Sequence, residues 1–254
     1  MNAHINYILS LADTALILSQ RNSEWCGHGP ILEQDIAITN FSLDQLGQAR
    51  YLYQHAAERM NQLDSGLAAT EDSLAYLRNE REFMNPLITE LPKGDWAFTV
   101  LRQYFMSAYF HLLYTALQRS TDPQLAAIAA KALKEVDYHL KWSKEWVVRL
   151  GDGTEESHER MTNALNELWA YTGELFMPAD YEQETVIKGI AADCQSFKLI
   201  WMDLIHETLQ EATLDIPTNL FMHSGGKSGK HTENMGYILA EMQYMQRSYP
   251  GCEW

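Results

Sequence analysis

Three observations predict an all-α protein. Apolar residues recur at spacings of three and four through almost every segment, which is the spacing of one helix face. The breaks between segments fall at Gly, Pro and Asp and not between alternating strands. With 46% apolar residues over 254 positions, the chain also has enough hydrophobic material to bury the flank of each helix.

The elements follow in order. A first helix over roughly residues 4–25 stops at CGHGP, and a second starts after Pro30 and runs to about Leu63, with Ile31, Ile38, Leu46, Leu52 and Ala56 as core candidates. A short helix near residues 71–79 leads into an irregular connector, NEREFMNPLITELPKG. Asp95 then caps a helix reaching about Ser120. Asp122 restarts the chain as N-cap with Pro123 in the first helical position, and that helix ends at GDG. Further helices are expected over about 155–176, 181–212 and 231–249. Neither a repeat nor a composition shift divides the chain, so a single domain over 1–254 is expected. Four long helices in two hairpins, separated by a longer connection and followed by further helices, form the pattern of a ferritin-like four-helix bundle with additional C-terminal helices.

The charge narrows the partners. A net charge of −15 repels nucleic acid and anionic membrane, which leaves a protein or a small ligand. Cys26, Cys194 and Cys252 are odd in number and lack CxxC spacing, so neither a zinc site nor a disulfide framework is expected, as suits a reducing cytoplasm. The opening residues lack a basic segment and carry Asp13 inside their apolar stretch, and no uncharged apolar run reaches membrane-spanning length.

A bundle of this type raises the question of a di-iron centre, for which two helices each supply a carboxylate and two others each supply Glu-x-x-His. The donors fall short. The helix from Trp96 onward carries no Asp or Glu before Asp122. Asp44 is followed three residues later by Gly47, and Glu135 by Tyr138, with His139 one step further round. With Asp13 as the mid-helix acid of the first helix, these positions are expected not to ligate. They are expected to be interior polar groups, with Gln103, Tyr104, Ser107 and Tyr138 as partners, and Glu135→Ala is expected to cost about 1–3 kcal/mol. Glu155 and His158 read as a solvated helix start. Asp203 and His206, with Glu207 and Glu211, form a second candidate metal face on a long helix with apolar neighbours, but no other helix offers a matching pair. GGKSGK, residues 225–230, lacks the first glycine of a phosphate loop and reads as a flexible connector that places two lysines.

Three blocks, SEWCGHGPILEQDIAITNFSLDQLGQAR, DPQLAAIAAKALKEVDYHL and GGKSGKHTENMGYILAEMQYMQRSYPG, resemble the C-component family of the bacterial phenylacetyl-CoA 1,2-epoxidases, which are ring-epoxidising multicomponent monooxygenases. The resemblance runs the length of the chain. It implies a non-catalytic structural subunit that pairs with and stabilises a homologous catalytic subunit, the A component, as a heterodimer and higher assembly. The di-iron centre would belong to that partner, with no cofactor in this chain. A small subunit, the B component, would join, and a reductase with flavin and an iron–sulfur cluster would relay electrons from NADPH. The resemblance also implies contacts to the CoA end of the substrate from Glu82, Phe83, Met84 and Asn85, and from Gln183, Glu184 and Thr185. Met235, Tyr237, Ile238, Met242, Met245 and Tyr249, followed by Trp254, recur at helical spacing and offer a partner contact or a helix packed on its own bundle. Rival readings are a self-sufficient metal oxidase or oxygenase using Glu135, His139, Asp203, His206 and Glu207, and a helical adaptor unrelated to CoA chemistry.

Overall fold

A computed structural model describes residues 2–64, 66, 68–218 and 220–252, and among these it contains ten α-helices, short 3₁₀ turns and no strand. The four long helices are α1 (Ala3–Ser23), α2 (Leu32–Leu63), α4 (Trp96–Leu117) and α5 (Pro123–Gly151). The short α3 (Glu71–Tyr76) precedes the connector; α6 (Glu155–Leu168), α7 (Asp180–Ile187), α8 (Lys198–Glu211), α9 (Glu233–Met242) and α10 (Tyr244–Ser248) follow the long four. The most extensive contacts join α1 to α2 and α4 to α5, and α2 lies against α5 across the pair of hairpins. This is the ferritin-like arrangement. No described helix is long and apolar enough to cross a membrane.

The caps account for the helix starts. Asn2 accepts from the His4 amide at 2.9 Å, Asp95 from Phe98 at 2.9 Å, and Asp122 from Gln124 and Leu125 at 3.0 and 3.1 Å. α1 and α4 are buried on nearly every side, which makes them the central rods of the bundle. α5 instead shows one buried stripe, Leu125, Ala129, Ala132, Val136 and His139, spaced at three and four.

Several expected boundaries move. The helix foreseen over 181–212 is two, because α7 ends at Gly189 in the left-handed region (φ +69°). The stretch beyond it turns to meet the α4–α5 corner, where Thr121 N donates to the Gly189 carbonyl at 2.9 Å and Ser120 Oγ to the Ile190 carbonyl at 2.7 Å. α6 stops at Leu168 and tightens into 3₁₀ turns that carry Glu174 inward. α3 ends at Tyr76, and the C-terminal helix breaks at Gln243, whose side chain donates to the carbonyls of Ala75 and Arg78. On α2, Ile38, Leu52 and Ala56 are buried as expected, but Ile31 and Leu46 are exposed. The helix is rotated so that Gln45 and Gln48 face the interior instead. Met235 and Ile238 pack on this chain's own core, while Tyr237 and Met245 face outward; Trp254 lies outside the described residues.

The connector between α3 and α4 runs over the bundle end, and its backbone finds side-chain partners all along its length. Asp13 accepts from Met84 N at 2.9 Å and Glu174 accepts from Leu87 N at 2.7 Å. Arg21 donates to the Glu90 carbonyl, and Arg102 donates to the carbonyls of Leu91 and Pro92. Irregular backbone can be buried only when such partners exist, which explains the charges found inside an otherwise apolar bundle.

Candidate functional site

At the bundle centre, where carboxylates would be needed for two irons, the structure places neutral amides. Asn22 donates to Gln45 at 3.0 Å and to Gln103 at 2.7 Å, Gln45 Nε2 lies 3.2 Å from Gln103 Oε1, and Gln103 donates to Ser107 at 2.9 Å, all buried. Gln48 bridges Tyr114 and Glu135 at 3.2 and 2.9 Å. The sequence reading missed Asn22, Gln45 and Gln48. Their signal was present in α2, where Gln45 and Gln48 stand three apart on one face beside the Asp44 and Gly47 positions.

Of the positions Asp44, Gly47, Glu135, Tyr138 and His139, only Asp44 and His139 meet, and the five do not converge on one point. His139 is buried, lies tilted on Phe41 with centroids 4.1 Å apart, and donates through Nε2 to Asp44 at 2.9 Å. Tyr138 faces outward with its edge on Phe41, and a Cβ at Gly47 would meet nothing within 4 Å. Asp13 accepts from the Tyr53 hydroxyl at 2.5 Å and from both terminal nitrogens of Arg78, not from Gln103, Tyr104, Ser107 or Tyr138. Tyr104 instead donates to Thr208 at 2.6 Å. The residues present therefore do not fit a di-iron cage. The structure also lowers the cost foreseen for Glu135→Ala. Glu135 is half-buried and its hydrogen bond is to Gln48, so the variant should lose about 0.5–1.5 kcal/mol in chemical unfolding. The second candidate face dissolves for a different reason. Asp203, His206, Glu207 and Glu211 lie on the solvent side of α8, where Glu211 pairs with Lys144. Glu155 sits in an exposed first turn capped by Thr154, and His158 lies 2.7 Å from the Gly151 carbonyl.

A cleft lies at the bundle end, below the connector. It encloses about 490 Å³, and its wall includes Arg78, Arg81, Glu82, Met84, Tyr181 and Lys227. It brings together both segments singled out in the sequence, though not residue for residue. Glu82 and Met84 line it, whereas Phe83 is fully buried beneath the Arg78 guanidinium at 4.2 Å and Asn85 turns inward to Thr89 and Glu90. From α7 the lining comes from Ala179, Asp180 and Tyr181; Gln183 and Glu184 point to solvent, and Thr185 is buried, bonded to the Tyr181 carbonyl.

The far wall is the GGKSGK loop, which is an ordered strap and not a flexible connector. A Cβ on Gly226 would stand 2.2 Å from the Asn85 carbonyl, and one on Gly229 would stand 2.3 Å from the Arg81 carbonyl, so both positions require glycine for backbone to meet backbone. The loop places one lysine inward. Lys227 is buried against Glu182 at 3.1 Å and the carbonyls of Leu175 and Met177. Glu174 completes the clamp by accepting from the Gly225 and Lys227 amides. Arg81 stands exposed at the rim with no acidic partner among the described residues, so the cleft offers an unpaired guanidinium to an anion.

Beneath this wall His231 joins strap to connector. Its Nδ1 lies 2.7 Å from Glu90 and its Nε2 2.9 Å from the Phe83 carbonyl, two acceptors that together demand the doubly protonated ring. Burial alone would lower its pKa, but the Glu90 carboxylate and the Phe83 carbonyl raise it above 6.5. The sign follows from linkage. The anchoring is fully present below about pH 6.5 and is lost as pH climbs through the raised folded-state value. Amide exchange over residues 83–90, corrected for intrinsic rates, should therefore quicken in the parent chain as pH rises above about 6.5, and His231→Gln should remove that dependence.

The family model described as phenylacetic acid catabolic protein matches residues 1–254. The C component of the 1,2-phenylacetyl-CoA epoxidase of Escherichia coli (strain K12) is 46% identical over 254 residues, covering 100% of both chains.

Proposed function

The chain belongs to the phenylacetic acid catabolic protein family, and from that premise we propose that it is the non-catalytic structural subunit of a phenylacetyl-CoA 1,2-epoxidase in aerobic phenylacetate degradation. In this reading it is one cytoplasmic ferritin-like domain that pairs with the di-iron catalytic subunit and stabilises it. A further small subunit and a reductase carrying flavin and an iron–sulfur cluster, fed by NADPH, complete the assembly.

The observation that carries the reading is the neutral interior. Two irons in a bundle need several carboxylates and two imidazoles directed at one point. Here an Asn22–Gln45–Gln103 amide network occupies that region, and the Asp44–His139 pair sits to one side of it. The amides pair with one another without charge, though Asn22 Oδ1 is left without a partner, and they tie α1, α2 and α4 together as a body against which a partner can dock.

The docking face we propose is the outer side of α2. Leu32, Ile36, Leu43 and Leu46 are exposed there and fall within a sector about 80° wide around the helix, in a stripe about 21 Å long. Tyr138 of the adjoining α5 is exposed as well. Obligate partners bury large apolar surfaces of this kind, about 2,000 Å² or more in all. The cleft below the connector, with Arg81 at its rim, is the face we assign to the anionic CoA end of the partner's substrate.

Co-expression with the catalytic subunit of a phenylacetyl-CoA epoxidase, followed by size-exclusion chromatography and iron analysis of each separated chain, tests the proposal. Stoichiometric co-elution with the iron in the partner alone is expected. About two irons in this chain would overturn it in favour of a self-sufficient oxidase, and failure to co-elute would favour an adaptor.

A further inference from the structure

At the start of α5, three side chains from three elements converge. His4 of α1 and His55 of α2 each bring Nε2 to 2.7 Å from the same Asp122 oxygen, Oδ2, at the N-cap of α5. All three are buried, and their donor atoms lie within 4.8 Å of one another; among the described residues this is the one such group. We propose that His4, His55 and Asp122 form a mononuclear site for a divalent transition-metal ion such as Zn²⁺, which ties α1, α2 and the start of α5 together.

The donor set suits that ion. Two neutral imidazoles and one carboxylate are a borderline set that zinc takes at about 2.0–2.2 Å, leaving one coordination position open. Ligands around a tetrahedral zinc stand about 3.3 Å apart, so the two 2.7 Å hydrogen bonds need to open by only about 0.6 Å for the ion to replace the bridging protons. Burial and the Arg59 charge lower the His4 pKa, so its imidazole is neutral at physiological pH. Asp122 is already oriented, since its other oxygen accepts from the Gln124 and Leu125 amides, and donors from His55 and Leu125 hold its carboxyl well below the usual range against the effect of burial. Nδ1 of His55 is buried and has no partner, so a metal-bound His55 would hold its Nδ1 proton without the acceptor that such ligands usually have, a cost the ion's bonds must exceed. The strongly acidic chain draws cations toward it.

One group opposes the ion. Arg59 lies 3.6 Å from Asp122 Oδ2 and supplies a competing positive charge, and its side chain is 36% exposed, free to swing into solvent. That opposition makes the proposal sharply testable. The full chain, stripped with a chelator, is titrated with Co²⁺ as a spectroscopic substitute for Zn²⁺. Visible d–d absorption saturating at one equivalent, abolished by added Zn²⁺, is expected, with at least about tenfold weaker binding in His4→Gln and in His55→Gln. His206→Gln, on the exposed face of α8, leaves the titration unchanged. Arg59→Gln, which keeps all three donors in place, binds the ion more tightly than the parent. Either an Arg59→Gln curve that matches the parent's or undiminished binding in a folded His4→Gln/His55→Gln chain overturns the assignment and leaves a hydrogen-bonded helix cap only.

Discussion

An Arg78→Met chain is expected to lose about 3–5 kcal/mol of stability, a large share of what a chain this size holds in reserve. The guanidinium is the counter-charge of Asp13, which is fully buried in the middle of α1. Methionine fills much the same space but leaves the carboxylate with only the Tyr53 hydroxyl and the Met84 amide. The effect spreads, because Arg78 also donates to the Leu74 and Glu82 carbonyls at 2.5 and 2.7 Å and lies over the Phe83 ring. Loss of that hub should loosen the connector and with it one wall of the cleft. Urea unfolding checks the size of the loss, and a second variant checks its cause. Asp13→Asn/Arg78→Met removes both charges, so it should be more stable than Arg78→Met alone. A single variant that loses less than about 1 kcal/mol would mean that Asp13 is not buried as a charge.

The same hub shows where sequence reading stops. α4 and α5 were legible because their signals are local: Asp95 and Asp122 cap within three residues, and Pro123 fixes the first turn. Asp13 stood out as a mid-helix acid, but its partner lies 65 residues away in a stretch whose only visible property is irregularity. His4 and Asp122, 118 positions apart, gave no hint of each other for the same reason. Periodicity marked α2 as amphipathic without saying which face turns inward; the helix buries Gln45 and Gln48 and exposes Leu43 and Leu46, the reverse of the usual preference. The glycines of GGKSGK read as flexibility because the backbone approach they permit is to residues 81–87, far off in sequence. In each case the deciding contact is non-local, and a linear pattern does not carry it.

That inverted face of α2 leads to the second large effect. Ile36→Glu/Leu43→Glu should weaken association with the catalytic subunit by at least about a hundredfold, because two carboxylates would have to shed water against an apolar partner surface, at about 2 kcal/mol or more for each side chain at the centre of the contact. Both side chains are at least half exposed in this chain, so its own unfolding free energy should change by no more than about 0.5 kcal/mol. The contrast between an intact subunit and a broken pair is what separates a docking face from a core defect. A four-residue apolar stripe on a chain with net charge −15 is also where the protein by itself should self-associate, so the double variant should run as a cleaner monomer than the parent. Tyr237→Glu, on the outward face of α9, serves as the opposing control. If it breaks the pair while Ile36→Glu/Leu43→Glu leaves stoichiometric co-elution untouched, the interface belongs to α9 and the stripe on α2 has some other occupant. If the outcome is the reverse, the outward leucines of α2 are the docking face, and the exposure of Leu43 and Leu46 beside buried Gln45 and Gln48 has its physical reason.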